Sequence, residues 1–144
     1  MNTTNPHKNS EGYSDPTVYE ALKQIQKENH LKKNRYRPLV YICSPYAGDI
    51  ESNIQNARRY CAFAVRQGTI PIAPHLLFPQ FMDDSNPEDR RLGLLFGKIL
   101  LDRCEAVWVF GGNVSTGMAA ELERAEHRGI PIKHYDTDCK EVAP

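Results

Sequence analysis

At Phe110–Leu122 the sequence reads FGGNVSTGMAAEL, and the five residues 106–110 are AVWVF. An uninterrupted apolar run of this length, ended by two glycines, predicts a strand that is buried on both faces. Ser115 is a good helix N-cap, and Gly129 is a good residue to end the helix that follows. The stretch therefore predicts a strand, a tight turn and a helix over about 115–128, the unit from which parallel α/β sheets are built.

The start of this helix is where a ligand is expected, because its free N–H groups face the carboxyl end of the sheet. Glu121 lies in the second turn and, at about 100° per residue, flanks the buried face that Met118 and Leu122 define. Two interpretations of Glu121 stay open. It forms a surface ion pair with Arg124 or Arg128, as exposed charged residues often do, or its carboxylate points into a ligand cleft.

Composition excludes several classes of protein. The chain has 144 residues with 18 basic and 18 acidic side chains, so no net field favours a nucleic-acid polymer or an anionic membrane. No apolar run approaches the ~20 residues of a membrane span, and the N-terminus lacks the apolar core of a signal peptide. A cytoplasmic location is therefore expected. The spacing of the cysteines and histidines predicts buried thiols, without metal ligands, and we expect no cofactor.

The chain is expected to contain a polar N-terminal extension, residues 1–35, and one domain, residues 36–144. The first dozen residues are polar enough to predict disorder. Asp15-Pro16 predicts the start of an amphipathic helix, with Asp as N-cap and Pro as the first helical residue. The thin apolar stripe of this helix consists of Val18, Leu22 and Ile25.

The domain reads as strands alternating with helices. The predicted strands are 39–43, 69–74, 106–110 and 130–135. Pro71 argues against a central position for the second strand, and the last strand is also expected at an edge. The order predicts one doubly wound, flavodoxin-like α/β domain, with a four- or five-stranded parallel sheet and helices on both faces. The chain has neither G-x-G-x-x-G nor G-x-x-x-x-G-K-[ST], which disfavours a standard dinucleotide fold or a P-loop enzyme.

Several segments of this domain resemble the nucleoside 2-deoxyribosyltransferase superfamily. They are Tyr41-Ile42-Cys43, Ala73-Pro74-His75, and Ser115-x-Gly117-Met118-x-x-Glu121-Leu122 with Ala125. The resemblance spans about 38–135. Within the superfamily it points most closely to 2'-deoxynucleoside 5'-phosphate N-hydrolase, and to small domains common in phages and Gram-positive bacteria. It implies cleavage or transfer of an N-glycosidic bond on a nucleoside or nucleotide, in a homodimer or higher homo-oligomer.

The resemblance also implies roles for individual residues. Glu121 takes the place of the nucleophile that attacks the anomeric carbon, and Tyr41 that of the tyrosine orienting it. Ser115 and Gly117 match residues that hold a 5'-phosphate, and His75 matches a histidine beside the base. Together with three loops expected to converge at the sheet's carboxyl end (44–48, 74–81 and 111–117), the resemblance gives the expected ligand-binding residues as Ser44, Tyr46, Gly48, His75, Gly112, Ser115, Gly117 and Met118.

Two departures from the family pattern keep a second function open. The family places an aspartate, which assists the departing base, eight residues before the acidic residue that opens the central strand. Counting back from Glu105 gives Gly97 here. The hydrolase also has Ser and Arg after the first strand, where this chain has Pro45 and Ala47. The sequence therefore predicts either an enzyme of this class or a non-catalytic protein that senses or sequesters a nucleotide-derived ligand.

Overall fold

The computed structural model describes residues 16–33 and 35–144. The chain divides into two units, one ending at Tyr36 and the other running Arg37–Pro144, and each is considered by itself. The predicted disorder of the first dozen residues and the predicted Asp15 cap lie outside the described residues.

The first unit contains helix α1, Pro16–Lys33. The sequence predicts a helix that begins at Pro16, and α1 begins there. Proline is suited to the first position of a helix because the N–H that it lacks would have no partner within the helix. Within the helix, Gln24 donates a hydrogen bond from Nε2 to Oε1 of Glu28 over 3.2 Å, one turn further on. A pair at this spacing adds a few tenths of a kcal/mol to the stability of the helix.

The second unit is an α/β domain with one five-stranded sheet in the order β2-β1-β3-β4-β5. The strands are β1 Leu39–Cys43, β2 Ile70–Ile72, β3 Ala106–Phe110, β4 Ile132–Tyr135 and β5 Glu141–Val142, and the helices are α2 Ile50–Arg66, α3 Pro74–Leu77, α4 Pro87–Asp102 and α5 Thr116–Arg128. A short 3₁₀ turn, Phe78–Gln80, follows α3. The first four strands are parallel.

Two apolar cores cover the two faces of the sheet, so the predicted doubly wound α/β fold is confirmed. On one face Val107 and Val109 of β3 pack with Leu101 of α4 and Met118 of α5. On the other face the core is formed by the alternate strand residues and by α2, and its members are Val40, Ile42, Tyr60, Ala64, Trp108, Phe110 and Tyr135. Side chains alternate between faces along a strand, and β3, buried on both, is therefore apolar throughout.

The strand–turn–helix unit predicted from Phe110–Leu122 is confirmed. Ser115 is the N-cap of α5, and its Oγ accepts a hydrogen bond from the N–H of Met118. Gly129 ends the helix with φ 69°, in the left-handed region that glycine adopts at little cost. Because α2 and α5 leave the adjacent strands β1 and β3 for opposite faces, a crevice opens between the loops at the carboxyl ends of these strands.

The edges of the sheet differ in part from expectation. Strand β2, with Pro71, is at an edge as predicted, but β4 is internal because β5 pairs with it antiparallel. The sheet is therefore not wholly parallel. Pro131 lies just before β4, so its missing N–H removes no bond from that strand. Asp136 closes the connection to β5 by accepting hydrogen bonds from the N–H groups of Asp138 and Lys140.

None of the described helices is both long and apolar enough to cross a membrane. The four cysteines carry free thiols, of which those of Cys43 and Cys104 are buried. In the described ranges, no group of three or more His, Cys, Asp or Glu side chains could hold a metal ion.

Candidate active site

Glu121 of α5 meets two side chains of β1. The Tyr41 hydroxyl donates a hydrogen bond to Oε2 of Glu121, and the Cys43 thiol lies 3.7 Å from Oε1 as a second donor. Residues two apart on a strand point to the same face, so Tyr41 and Cys43 both face α5. The two oxygens of one carboxylate thus have separate donors, both supplied by the strand beside the central one.

The alternative in which Glu121 forms a surface ion pair is wrong. Arg124 donates two hydrogen bonds to Asp102 of α4, over 2.8 and 2.6 Å. Arg128 lies 3.7 Å from the same aspartate. Both cations therefore face an acid on the neighbouring helix, and within the described part of the chain the donors to Glu121 are the uncharged Tyr41 and Cys43.

The surroundings of Glu121 change its acidity. Burial raises the pKa of Glu121 to about 7, while hydrogen bonds from Tyr41 and Cys43 act in the opposite direction. Burial and the nearby Glu121 carboxylate hold the pKa values of Tyr41 and Cys43 well above their ordinary ranges. Near neutral pH, Glu121 therefore exchanges between its two forms while both donors keep their protons.

A second group of predicted residues comes together where β1 ends. Ser44 and His75 share a hydrogen bond of 2.9 Å between Oγ and Nε2, and the ring of Tyr46 meets that of His75 edge-on, with centroids 6.4 Å apart. Burial lowers the pKa of His75 to about 4. His75 is therefore a neutral imidazole at physiological pH, able to accept or donate a hydrogen bond.

The predicted phosphate-binding residues lie at the start of α5. Ser115 and Gly117 are exposed, and the Ser115 side chain accepts from the Met118 N–H over 3.2 Å. Met118 itself was expected to bind ligand, but its side chain is only 2% exposed and belongs to the core. Met118 is buried because it lies on the apolar face of α5, where its side chain packs α5 against the core.

Gly112 lies in the wall of a cavity of about 180 Å³ between the loops that follow β1 and β3. The other lining residues are Pro45, Asn53, Asn56, Tyr60, Phe110, Gly111, Asn113 and Thr137. Gly48 is exposed and has φ 94°, which lets the loop after β1 turn toward α2. Among the described residues, the Glu121 carboxylate is hydrogen-bonded by Tyr41 and Cys43, and neither Gly48 nor Gly112 takes part in these bonds.

Sequence reasoning missed two residues of this region. The sequence predicts Cys43 only as a buried thiol, although its spacing from Tyr41 places both side chains on one face of the strand. Asn53 donates from Nδ2 to the carbonyls of Tyr46 and Ala47, each over 3.0 Å, and so holds the loop after β1. Its position in the first turn of α2 was a signal, because the two donors of a carboxamide NH₂ group can bind two carbonyls of the preceding loop.

Comparisons with known proteins agree with this fold. A family model described as Domain of unknown function (DUF7768) matches residues 38–135. The 2-deoxyribosyltransferase of the bacterium Bacillus psychrosaccharolyticus is similar in structure, with a TM-score of 0.60 and 16% identity over 74% of this chain and 77% of that one. A 2-desoxiribosyltransferase from Leishmania mexicana has a TM-score of 0.49 and 15% identity, over 69% of this chain and 64% of that one. No curated protein matches the chain. At these identities, the similarity to the first structure shows a shared fold.

Proposed function

The chain belongs to the family described as Domain of unknown function (DUF7768), and for this member we propose cleavage or transfer of an N-glycosidic bond on a nucleoside or nucleoside 5'-monophosphate. Glu121 is the proposed nucleophile. One observation carries the proposal: a largely buried carboxylate, which has no cationic partner among the described residues, receives hydrogen bonds from Tyr41 and Cys43. The fold shared with a 2-deoxyribosyltransferase supports it.

The chemistry requires a carboxylate of this kind. As the bond between the anomeric carbon and the base breaks, its electron pair leaves with the base and positive charge develops on the sugar. Ionised Glu121 attacks the anomeric carbon and forms a glycosyl ester. Water, or a second base, then attacks the same carbon and releases Glu121. A carboxylate with a pKa of about 7 is a stronger base than an exposed glutamate and still ionises near neutral pH.

Tyr41 has the proposed role of orienting the nucleophile. Its hydroxyl keeps its proton, since burial and the Glu121 charge raise its pKa, and so donates to Oε2 throughout the reaction. Oε1 is then the oxygen that attacks, because its contact with the Cys43 thiol occupies one of its two lone pairs and leaves the other. An interaction that fixes the geometry of attack contributes mainly in the transition state.

The sugar and its phosphate are assigned to the loops around this pair. We place a 5'-phosphate at the start of α5, beside Ser115 and Gly117, because helix N-termini bind anions. A Cβ atom on Gly117 would have no neighbour within 4 Å, so the backbone there is open to a ligand. His75, neutral and hydrogen-bonded to Ser44, is assigned to the base.

Gly97 supports a second candidate function, the binding of a nucleotide-derived ligand without chemistry. The family resemblance puts an aspartate at this position to help the base depart. General-acid assistance is worth about 10²–10⁴-fold in rate. A chain without it can hold the same ligand and turn it over slowly or not at all.

Incubation of the purified protein with nucleosides, 2'-deoxynucleosides and their 5'-monophosphates, followed by chromatography for free base, tests the proposal. Glu123 provides a matched control, as it is an exposed glutamate on the same helix. We expect base release by the wild type and by Glu123→Gln, and none by Glu121→Gln. Ligand binding by calorimetry without base release would favour the second function. Unchanged release by Glu121→Gln would refute the role of Glu121.

A further inference from the structure

The Cys43 side chain is completely buried between β1 and α5. Its Sγ lies 3.7 Å from Oε1 of Glu121 and 3.9 Å from the backbone carbonyl oxygen of Met118. A thiol has one proton to donate. The carboxylate is both the nearer and the charged acceptor, so it is the preferred partner.

We propose that Cys43 is a positioning residue, which holds Oε1 of Glu121 as Tyr41 holds Oε2. With one donor on each oxygen, the carboxylate cannot rotate about its last side-chain bond without losing one of these contacts. The kinetic part of this inference rests on the proposed function. The effect on Glu121 itself does not depend on any reaction.

The electrostatics fit a donor and not a nucleophile. Burial, and then the Glu121 charge, raise the pKa of the Cys43 thiol well above its ordinary value, so the sulfur stays protonated. Donation to the ionised form of Glu121 lowers the pKa of that carboxyl and opposes part of the effect of burial. Cys43 thus helps Glu121 to be ionised near neutral pH.

In the part of the chain that the structure describes, few other ionisable groups surround Cys43 and Glu121. Tyr41 is the second donor from β1. Cys104, which follows α4, is close enough to Tyr41 to raise its pKa, but its own Sγ donates to the Leu100 carbonyl over 3.3 Å. Arg124 of α5 is occupied by Asp102. A change in the pKa of Glu121 on altering Cys43 is therefore assigned to the thiol.

Cys104 offers a matched control. Both cysteines are buried and belong to the same apolar core, so replacing either with alanine removes the same atom from similar surroundings. Cys43 contacts Glu121, whereas the Cys104 thiol donates to the Leu100 carbonyl. A general effect of loosened core packing would appear in both alanine variants, whereas loss of the donor would appear in Cys43→Ala alone.

The decisive measurement is the pKa of the Glu121 carboxyl, followed by NMR of its carboxyl carbon in the unliganded full-length protein, with Glu121→Gln to assign the signal. We expect Cys43→Ala to raise it by roughly half a unit or more, about a threefold change in the acid dissociation constant. Cys104→Ala should leave it within a fraction of that. Cys43→Ser, which keeps a donor, should bring it back to the wild-type value or below. A pKa that Cys43→Ala does not raise, or that both alanine variants raise equally, would overturn the inference.

Kinetics then separate this inference from the proposed function. If the wild type releases base, Cys43→Ala should lower kcat more than it raises KM and should move the acidic limb of the pH profile upward with the Glu121 pKa. Absence of base release by the wild type would refute the enzymatic proposal, and the titration would still decide the role of Cys43. If Cys43→Ala does not fold, a Glu121 pKa in Cys43→Ser above that of the wild type would refute the inference.

Discussion

Gly97 lies beside the Tyr41 hydroxyl: a Cβ atom built on Gly97 would be 3.5 Å from that oxygen. This is an ordinary van der Waals distance, so the helix leaves room for a side chain to begin there. Gly97 is inside α4, where glycine costs roughly 0.5–1 kcal/mol relative to alanine. The glycine thus keeps free the space next to the hydroxyl that holds Glu121.

Replacing Gly97 with alanine should therefore stabilise the domain. We expect Gly97→Ala to raise the free energy of unfolding by about 0.5–1 kcal/mol, because alanine is the better helix former. Gly93 is a matched control in the same helix, since a Cβ atom there meets nothing within 4 Å. Denaturant titration of both variants measures the difference. If Gly97→Ala destabilises while Gly93→Ala stabilises, the space beside Tyr41 is smaller than the structure indicates.

An acid at position 97 should promote base release. The Cβ atom of Gly97→Asp would lie 3.5 Å from the Tyr41 oxygen, and the carboxyl group that it carries could protonate a departing base. We expect a gain of at least about tenfold in kcat for base release, below the full range of general-acid catalysis because the new side chain is not preorganised. Gly97→Asn, of the same shape without the proton, is the control. Equal rates for the two variants would show that the missing acid is not what limits turnover.

Ionisation of Glu121 should lower the free energy of unfolding. Its pKa is about 7 in the folded protein and 4.5 for an ordinary glutamate, so the folded state binds the proton more tightly. The resulting stabilisation is complete below about pH 4.5 and is lost as pH rises through 7. Glu121→Gln lacks this loss, and it should gain stability relative to the wild type between pH 5 and pH 8. Thermal midpoints at both pH values measure it. A constant difference between the two proteins would mean that Glu121 ionises normally.

How far the sequence predicts this fold is clearest at α5. Ser115 and Gly129 act on the backbone next to them, so a cap and a stop can be recognised locally. The position of β4 could not be predicted in the same way. The last predicted strand was expected at an edge, but β5 pairs with it, and β5 depends on a turn around Asp136 that shows no hydrophobic pattern.

The candidate site shows the same limit. Tyr41 and Glu121 are 80 residues apart in the chain, and no local pattern indicates that they touch. The family resemblance supplied this pair. The contact of Cys43 followed from strand alternation only once α5 was known to cover that face. The spacing of Arg124 and Arg128 from Glu121 suggested an ion pair on one helix. Arg124 instead binds Asp102 of another helix, a partner that no local pattern indicates.

His75 should make the domain sensitive to acid. Burial lowers its pKa to about 4, from 6.5 in an exposed histidine. As the pH falls, His75 is therefore protonated in the unfolded chain before it is protonated in the folded one. Its contribution to stability is therefore present above about pH 6.5 and is lost as pH falls to 4. His75→Gln should flatten this part of the pH dependence, whereas His127→Gln, at an exposed histidine on α5, should not. Denaturant titrations from pH 4 to 7 make the comparison. Parallel curves for His75→Gln and the wild type would contradict burial of a neutral His75.

A charge at position 115 should reveal where the phosphate binds. Asp and Asn are N-caps as good as Ser, so Ser115→Asp and Ser115→Asn should both keep the hydrogen bond that Ser115 accepts from the Met118 N–H. Only the aspartate adds a negative charge near the proposed phosphate. At ~4 Å and an effective dielectric constant of about 20, the repulsion is of order 4 kcal/mol. Ionic screening leaves a few kcal/mol.

Ser115→Asp should therefore weaken binding of a nucleoside monophosphate by roughly two orders of magnitude. Binding of the unphosphorylated nucleoside should change little, and Ser115→Asn should bind both ligands nearly as the wild type does. Calorimetry with both ligands on the three proteins measures these differences. Helical content by circular dichroism confirms that α5 is capped in each variant. If Ser115→Asp weakens the binding of both ligands equally, or leaves the binding of the monophosphate unchanged, the phosphate does not lie at the start of α5. It must then be sought elsewhere along the loops after β1 and β3.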